Sequence, residues 1–248
     1  MKNRSNALLL ALALLAACNT NTPSTGTAVE KHNPAEATKQ PDTSPGDSCN
    51  VQFAGITFTR SLNGAAQNAT VNGNVLTLRS DAKRDNFNDP DGKLSNHTAP
   101  VLLTQVDNTK PFTFTAKVEP EFLETYDAGV LYVYLRPDLW QKFAYERDER
   151  ARTRIVSVRT IGTSDDNNHD QLKAKSVYLK ISSDTKTIGY YYSLDQRQWE
   201  LARLYKNDYP ATIWLGVSAQ SPMGKGMSTR FEDCSLTATS VSDFRLGQ

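Results

Sequence analysis

Tyr132, Tyr134, Trp140, Lys142 and Glu146 have the types and the spacing to hold a polar ligand. All are even-numbered, and in a strand residues two apart share a face. Aromatic rings offer platforms to the apolar C–H faces of a sugar. A lysine and a carboxylate beside them would bond its hydroxyl rim. The same residues also suit an ordinary half-buried sheet surface, because Trp and Tyr pack well in strands. A second set, Asp165, Asp166 and His169, lies in the run TSDDNNHD at 163–170, which reads as a polar loop able to rim a ligand cleft. Oxygen-rich loops also suit calcium, and Asp85, Asn88, Asp89 and Asp91 make another such cluster. Neither has EF-hand spacing, and turns in which Asp and Asn satisfy local backbone donors account for both. No metal and no cofactor is therefore expected.

Catalytic arrangements are harder to find. Two carboxylates flanking a glycosidic bond could hydrolyse it, but Glu146 has no acidic neighbour on its own strand face. Glu119, Glu121 and Glu124 are split by Pro120 and read as a solvated connection. Outside the N-terminal region the only histidines are His97 and His169, and Gly-x-Ser-x-Gly is absent. That argues against a serine or cysteine hydrolase. A binding surface is the expectation, with a glycosidase-like enzyme or a protein-binding scaffold as alternatives.

The element that must position the first set spans residues 128–147, two strands with a short turn between them. Its other face carries Leu131, Val133, Leu135, Phe143 and Tyr145, an ordinary core. Similar alternation marks 51–59, 75–78, 112–118, 155–161, 176–182, 187–193, 199–204, 212–219 and 228–236. About a dozen strands without helical periodicity predict an all-β sandwich of two antiparallel sheets. Residues 84–99 are polar and rich in turn formers, which predicts a long loop.

The chain has 248 residues and a net charge of +1. Such balance argues against a nucleic-acid partner, which calls for a basic surplus. Lys2 and Arg4 precede a short apolar run that ends in Leu15-Ala16-Ala17-Cys18. This has the form of an export signal over 1–17 and resembles the lipobox of bacterial lipoproteins, which implies acylation (palmitate among the chains) of Cys18. The expected address is the cell envelope, with the membrane as a partner through the N-terminal lipid. Asn19 in place of Asp favours the outer over the inner membrane. Residues 18–48 are the lipid-bearing Cys and a polar tether, in which His32 is a solvated residue. Cys49 and Cys234 remain as an even pair in an exported protein, which predicts a disulfide bringing the first and last strands together. The folded domain is expected over 49–238, with a tail at 239–248.

Several pieces together resemble the DUF1349 family, a domain also found in the yeast "regulation of enolase" protein. They are DNFNDPDG at 85–92 with Ala99-Pro100-Val101, and Tyr126-Asp127-Ala128-Gly129-Val130. WQKFAYE at 140–146 and IVSVRT at 155–160 with Ser164-Asp165 follow, then YSLDQRQW at 192–199 and GVSAQSP at 216–222. One departure is Leu194-Asp195-Gln196, where the family usually has Asp-Gly in the turn. The resemblance implies a concanavalin A-like lectin/glucanase sandwich and supplies no established reaction. Within that fold, the expected partner is a polysaccharide or other glycan.

Overall fold

The computed structural model describes residues 44–248. The export signal, Cys18 and the tether as far as residue 43 lie outside the described residues. Among the described residues there is no helix, and the strands run in chain order as follows. The first group is β1 (Asp47–Phe53), β2 (Ile56–Leu62), β3 (Ala69–Asn72), β4 (Val75–Asp81), β5 (Asn86–Asn88) and β6 (Ser95–His97). Next come β7 (Val101–Asp107), β8 (Phe112–Pro120), β9 (Ala128–Arg136), β10 (Leu139–Arg147), β11 (Thr153–Ile161) and β12 (Thr163–Gln171). The last are β13 (Val177–Ser183), β14 (Thr187–Ser193), β15 (Glu200–Lys206), β16 (Thr212–Gln220) and β17 (Gly226–Thr237).

Two antiparallel sheets form the sandwich expected from the alternation. One has eight strands in the order β1-β2-β7-β16-β9-β10-β11-β12, the other seven in the order β15-β14-β13-β8-β17-β4-β3. The odd-numbered face of β9 and β10 enters the main core. Leu131, Val133, Phe143 and Tyr145 meet Phe114, Leu179, Tyr190 and Phe231 of the facing sheet's strands within one buried cluster. Gly129 is required there, because a Cβ would come within 2.4 Å of Val118 Cγ1 and 2.6 Å of Thr229 Cγ2. Glycine at this point of β9 lets the sheets close.

The even-numbered face builds a second, smaller core on the outside of the eight-stranded sheet. It contains Val101, Val130, Tyr132, Tyr134, Trp140, Ala144, Val156, Val158 and Trp214. This face is covered. Residues 85–99, expected as a loop, fold into the two-stranded β5–β6 hairpin. Thr98 and Ala99 donate their amides to the Asp85 carbonyl at 2.8 and 3.0 Å and close the segment on itself. Asn88 ties it to the edge of the sheet by donating its side-chain amide to Gly162 O at 2.8 Å, while Ser164 Oγ accepts the Asn88 backbone amide at 2.9 Å. Asn63 holds the far end by donating to His97 O and Ala99 O at 2.9 and 2.7 Å.

The polar run, the first strand and the cysteine pair also differ from expectation. The 163–170 run is strand β12, at the edge of the sheet and paired with β11. Residues 51–59 are the end of one strand and the start of another, with Ala54 and Gly55 at positive φ in the turn between them. Cys49 and Cys234 are free thiols. β1 pairs with β2 at the edge of one sheet while β17 sits inside the other, so the first and last strands are not paired. Residues 239–248 pack back on the seven-stranded sheet, where Lys180 Nζ donates to Gly247 O at 2.9 Å and Tyr191 OH to Phe244 O at 2.9 Å. In the turn that departs from Asp-Gly, Gln196 itself takes φ 64°, and Ser193 Oγ accepts its amide at 2.9 Å.

Trp140 is 0 % exposed. Its ring lies 6.0 Å from that of Tyr132, and its indole N–H donates to Pro137 O at 3.0 Å. Trp140→Ala is therefore expected to cost about 3–5 kcal/mol of folding stability, read as a lower urea midpoint. A change below about 0.5 kcal/mol would mean the outer core does not support the fold.

Candidate functional site

Where the cover does not fill the outer face, a cavity of about 280 Å³ remains. Its floor is the sheet, through Lys142, Glu146, Val156, Val158 and Asp166; its other walls are Asp85, Phe87, Asp89 and Leu94 from the cover. Tyr126, Pro222 and Met223 complete it. Strand register explains the grouping. Lys142 stands opposite Val158, and Val158 opposite Asp166, so the three form one row on one face. Glu146 is on the same face of β10 as Lys142.

The two charged residues of β10 have opposite circumstances. Lys142 is buried, and its ammonium donates to Asn86 O at 3.0 Å, Gln220 Oε1 at 3.1 Å and Asp85 Oδ1 at 3.3 Å. Three donors are all an ammonium has, so Lys142 is fully engaged in holding the cover to the sheet. Gln220 is itself fixed by donating to Tyr132 OH at 2.6 Å. Glu146 is 9 % exposed, yet among the described residues nothing donates to its carboxyl and it makes no ion pair. Its cross-strand neighbour Arg154 turns instead to Asp148, at 3.0 Å. Desolvation pushes the Glu146 pKa up to about 8; Lys142 opposes this, and Asp166, Asp85 and Asp148 add to it. Asp166, an exposed residue of edge strand β12, is also raised, first by partial desolvation, against the pull of Lys142.

The mouth is held by Tyr126-Asp127-Ala128-Gly129. Tyr126 takes φ 66°, which a bulky side chain adopts only where its surroundings force it. Asp127 supplies that force. Fully buried, it accepts the amides of Leu123 and Glu124 at 2.9 and 2.7 Å on one oxygen and the Ser221 hydroxyl at 2.8 Å on the other. Tyr126 N also donates to Arg147 O.

The structure redistributes the residues singled out from the sequence. Lys142, Glu146 and Asp166 meet at the cavity. Tyr132 and Trp140 are buried beneath the cover and Tyr134 nearly so; they form the outer core and are not an open platform. Asp165 and His169 leave the group because a strand's side chains alternate. Asp165 pairs with Arg203 at 2.7 Å, and His169 Nε2 lies 2.8 Å from Ser157 Oγ. The residues missed as ligand contacts, Phe87, Tyr126, Pro222 and Met223, come from the cover and two loops. The first three belong to the motif pieces quoted above, and those pieces converge here.

The arrangement defines a β-sandwich protein with a small polar cavity on the outer face of one sheet. Residues 62–239 match the family described as "Protein of unknown function (DUF1349)", and the chain belongs to that family. A solved structure of a functionally unknown protein from Saccharomyces cerevisiae is similar, with a TM-score of 0.66 at 22% identity, over 73% of this chain and 96% of that one. A bifunctional GH43-CE protein from Bacteroides eggerthii gives 0.53 at 13% identity, over 71% of this chain and 23% of that one. An engineered GH43 glycoside hydrolase with endo-xylanase and exo-arabinofuranosidase activity gives 0.50 at 14%, over 66% of this chain and 34% of that one. These likenesses are of fold. Comparison with the curated proteins finds no match.

A raised carboxyl makes stability depend on pH. Between about pH 5 and pH 8 the folded chain keeps a proton on Glu146 that the unfolded chain releases, so stability falls as pH rises through that window. Glu146→Gln, which carries no charge to desolvate, is expected to flatten that part of the profile. At pH 8 it should be the more stable protein by something on the order of a few kcal/mol. Parallel profiles in urea titrations at pH 5 and 8 would show that Glu146 carries no such burden.

Proposed function

We propose that the protein is a lipid-anchored component of the bacterial envelope whose sandwich binds carbohydrate without catalysis, in the cavity between the β5–β6 cover and the eight-stranded sheet. The observation that carries this reading is Glu146, a nearly buried carboxyl without a protein partner at the wall of a cavity. Around it stand hydrogen-bonding groups of Asp89 and Asp166 and the rings of Phe87 and Tyr126. Sugars need both kinds of contact, apolar faces against rings and hydroxyls against acids. At about 280 Å³ the cavity is near the lower end of small-ligand sites, which suits one or two sugar rings at the end of a chain. Acylation of Cys18 would hold the domain at the membrane, with the outer membrane as the favoured address.

The test is a panel of polysaccharides and oligosaccharides, read by calorimetry. Binding is expected, and Phe87→Ala and Glu146→Gln should each weaken it roughly tenfold. Trp140→Ala is expected to act through stability alone. Absence of binding across a broad panel would sink the reading. Cys18→Ser should move the protein from the membrane to the soluble fraction; retention on the membrane would remove the lipid anchor.

A second reading has one observation in its favour. Glu146 shares the cavity with Asp85 and Asp166, and a pair of carboxyls flanking the scissile bond is what glycoside hydrolysis uses. It requires release of reducing ends from some member of the same panel, abolished in Glu146→Gln. Tight binding without turnover favours the binding module.

A further inference from the structure

The charge balance of the cavity has a direction. Of its acids, Asp85 is paired with Lys142, which has no donor left. Glu146, Asp89 and Asp166 have no cationic partner among the described residues. The nearby arginines are committed elsewhere, Arg154 and Arg152 to Asp148 at 3.0 and 2.7 Å and Arg203 to Asp165. Among the described residues no three acidic, His or Cys side chains converge to hold a metal ion. The uncompensated acids are spread over the wall, and Leu94 and Met223 at the rim are exposed and apolar. A cavity of this kind wants a positive group carried on a body with apolar faces.

We propose that the ligand is a saccharide bearing a free, protonated amine, its ammonium held by Glu146 and Asp166 and its ring against Phe87 and Tyr126. This rests on the carbohydrate reading above and narrows it to amino sugars that are not N-acylated. An ammonium supplies what Glu146 lacks, a charged donor in a desolvated place, where such bonds are stronger than neutral ones. Acylation removes the charge and adds bulk. Binding should therefore also shift Glu146 toward its ionised form, releasing a proton.

The experiment is calorimetry on the full chain with glucosamine oligosaccharides, their N-acetylated counterparts, neutral gluco-oligosaccharides of the same length, and spermidine. The free-amine oligosaccharide is expected to bind at least roughly tenfold more tightly than the acetylated or neutral ones, and more weakly as salt is raised. Glu146→Gln and Asp166→Asn should each remove most of that preference. Both replacements are isosteric and break no ion pair of the fold, so both proteins should fold. Equal binding of free-amine, acetylated and neutral sugars overturns the amine assignment and leaves the carbohydrate reading standing. Equal binding of spermidine and the amino sugar, with the variants affecting both, overturns the assignment of the body to a sugar. No binding of any saccharide overturns both.

Discussion

A single buried ammonium organises the outer face of this sandwich. Lys142 rises from the middle of β10 and bonds a backbone carbonyl and a carboxylate of the cover together with a side-chain amide from β16. Taking an ammonium out of water costs several kcal/mol, offset only where every donor is used and an opposite charge is close. Here both conditions hold, at 3.3 Å from Asp85. The arrangement ties a polar segment that has little apolar surface of its own to a sheet that would otherwise expose Trp140 and Tyr132. The outer core and the cavity both follow from that attachment.

Four residues along the same strand, Glu146 stands on the same face with the opposite chemistry. It is buried a little less than Lys142 and has no donor, and its natural cross-strand partner is drawn away by Asp148. Among the described residues the side-chain polar atoms sealed from solvent without a hydrogen bond are Arg154 Nε, Arg159 Nε and Tyr205 OH. The Glu146 oxygens are not among them and open on the cavity that Glu146 lines, where a ligand can complete them. A fully bonded lysine and a bare carboxyl on one strand divide the outer face into a part that is structure and a part that is available. Tyr126, held at positive φ by the network around Asp127, borders the available part.

Much of the fold was legible in the sequence because its signal is apolar alternation, which the long central strands carry plainly. The core face of residues 128–147 was readable for that reason. What escaped is polar. β12 has no apolar residue at all and lies at a sheet edge, so its alternation leaves no hydrophobic trace. β5 and β6 are three residues each and look like the turns around them. Because the cover was read as a loop, the even-numbered face of β9–β10 looked open, and Tyr132 and Trp140 looked like a platform. Lys142 and Glu146 are legible from residue type and strand spacing, and Asp166 from its polar run, but which of them is bare and which fully bonded depends on partners far away in the chain. The cysteines misled because their pairing was inferred from compartment and parity, and neither contains geometry.

Hydrogen exchange across residues 85–99, compared between the natural chain and Lys142→Met, tests the hold of the Lys142 ammonium on the cover. If Lys142 holds the cover, amides in this segment are protected in the natural chain, and in the variant they exchange much faster while the strands of the main core keep their protection. Equal protection of residues 85–99 in both proteins would contradict the account, because the cover would then be held by something other than the Lys142 ammonium.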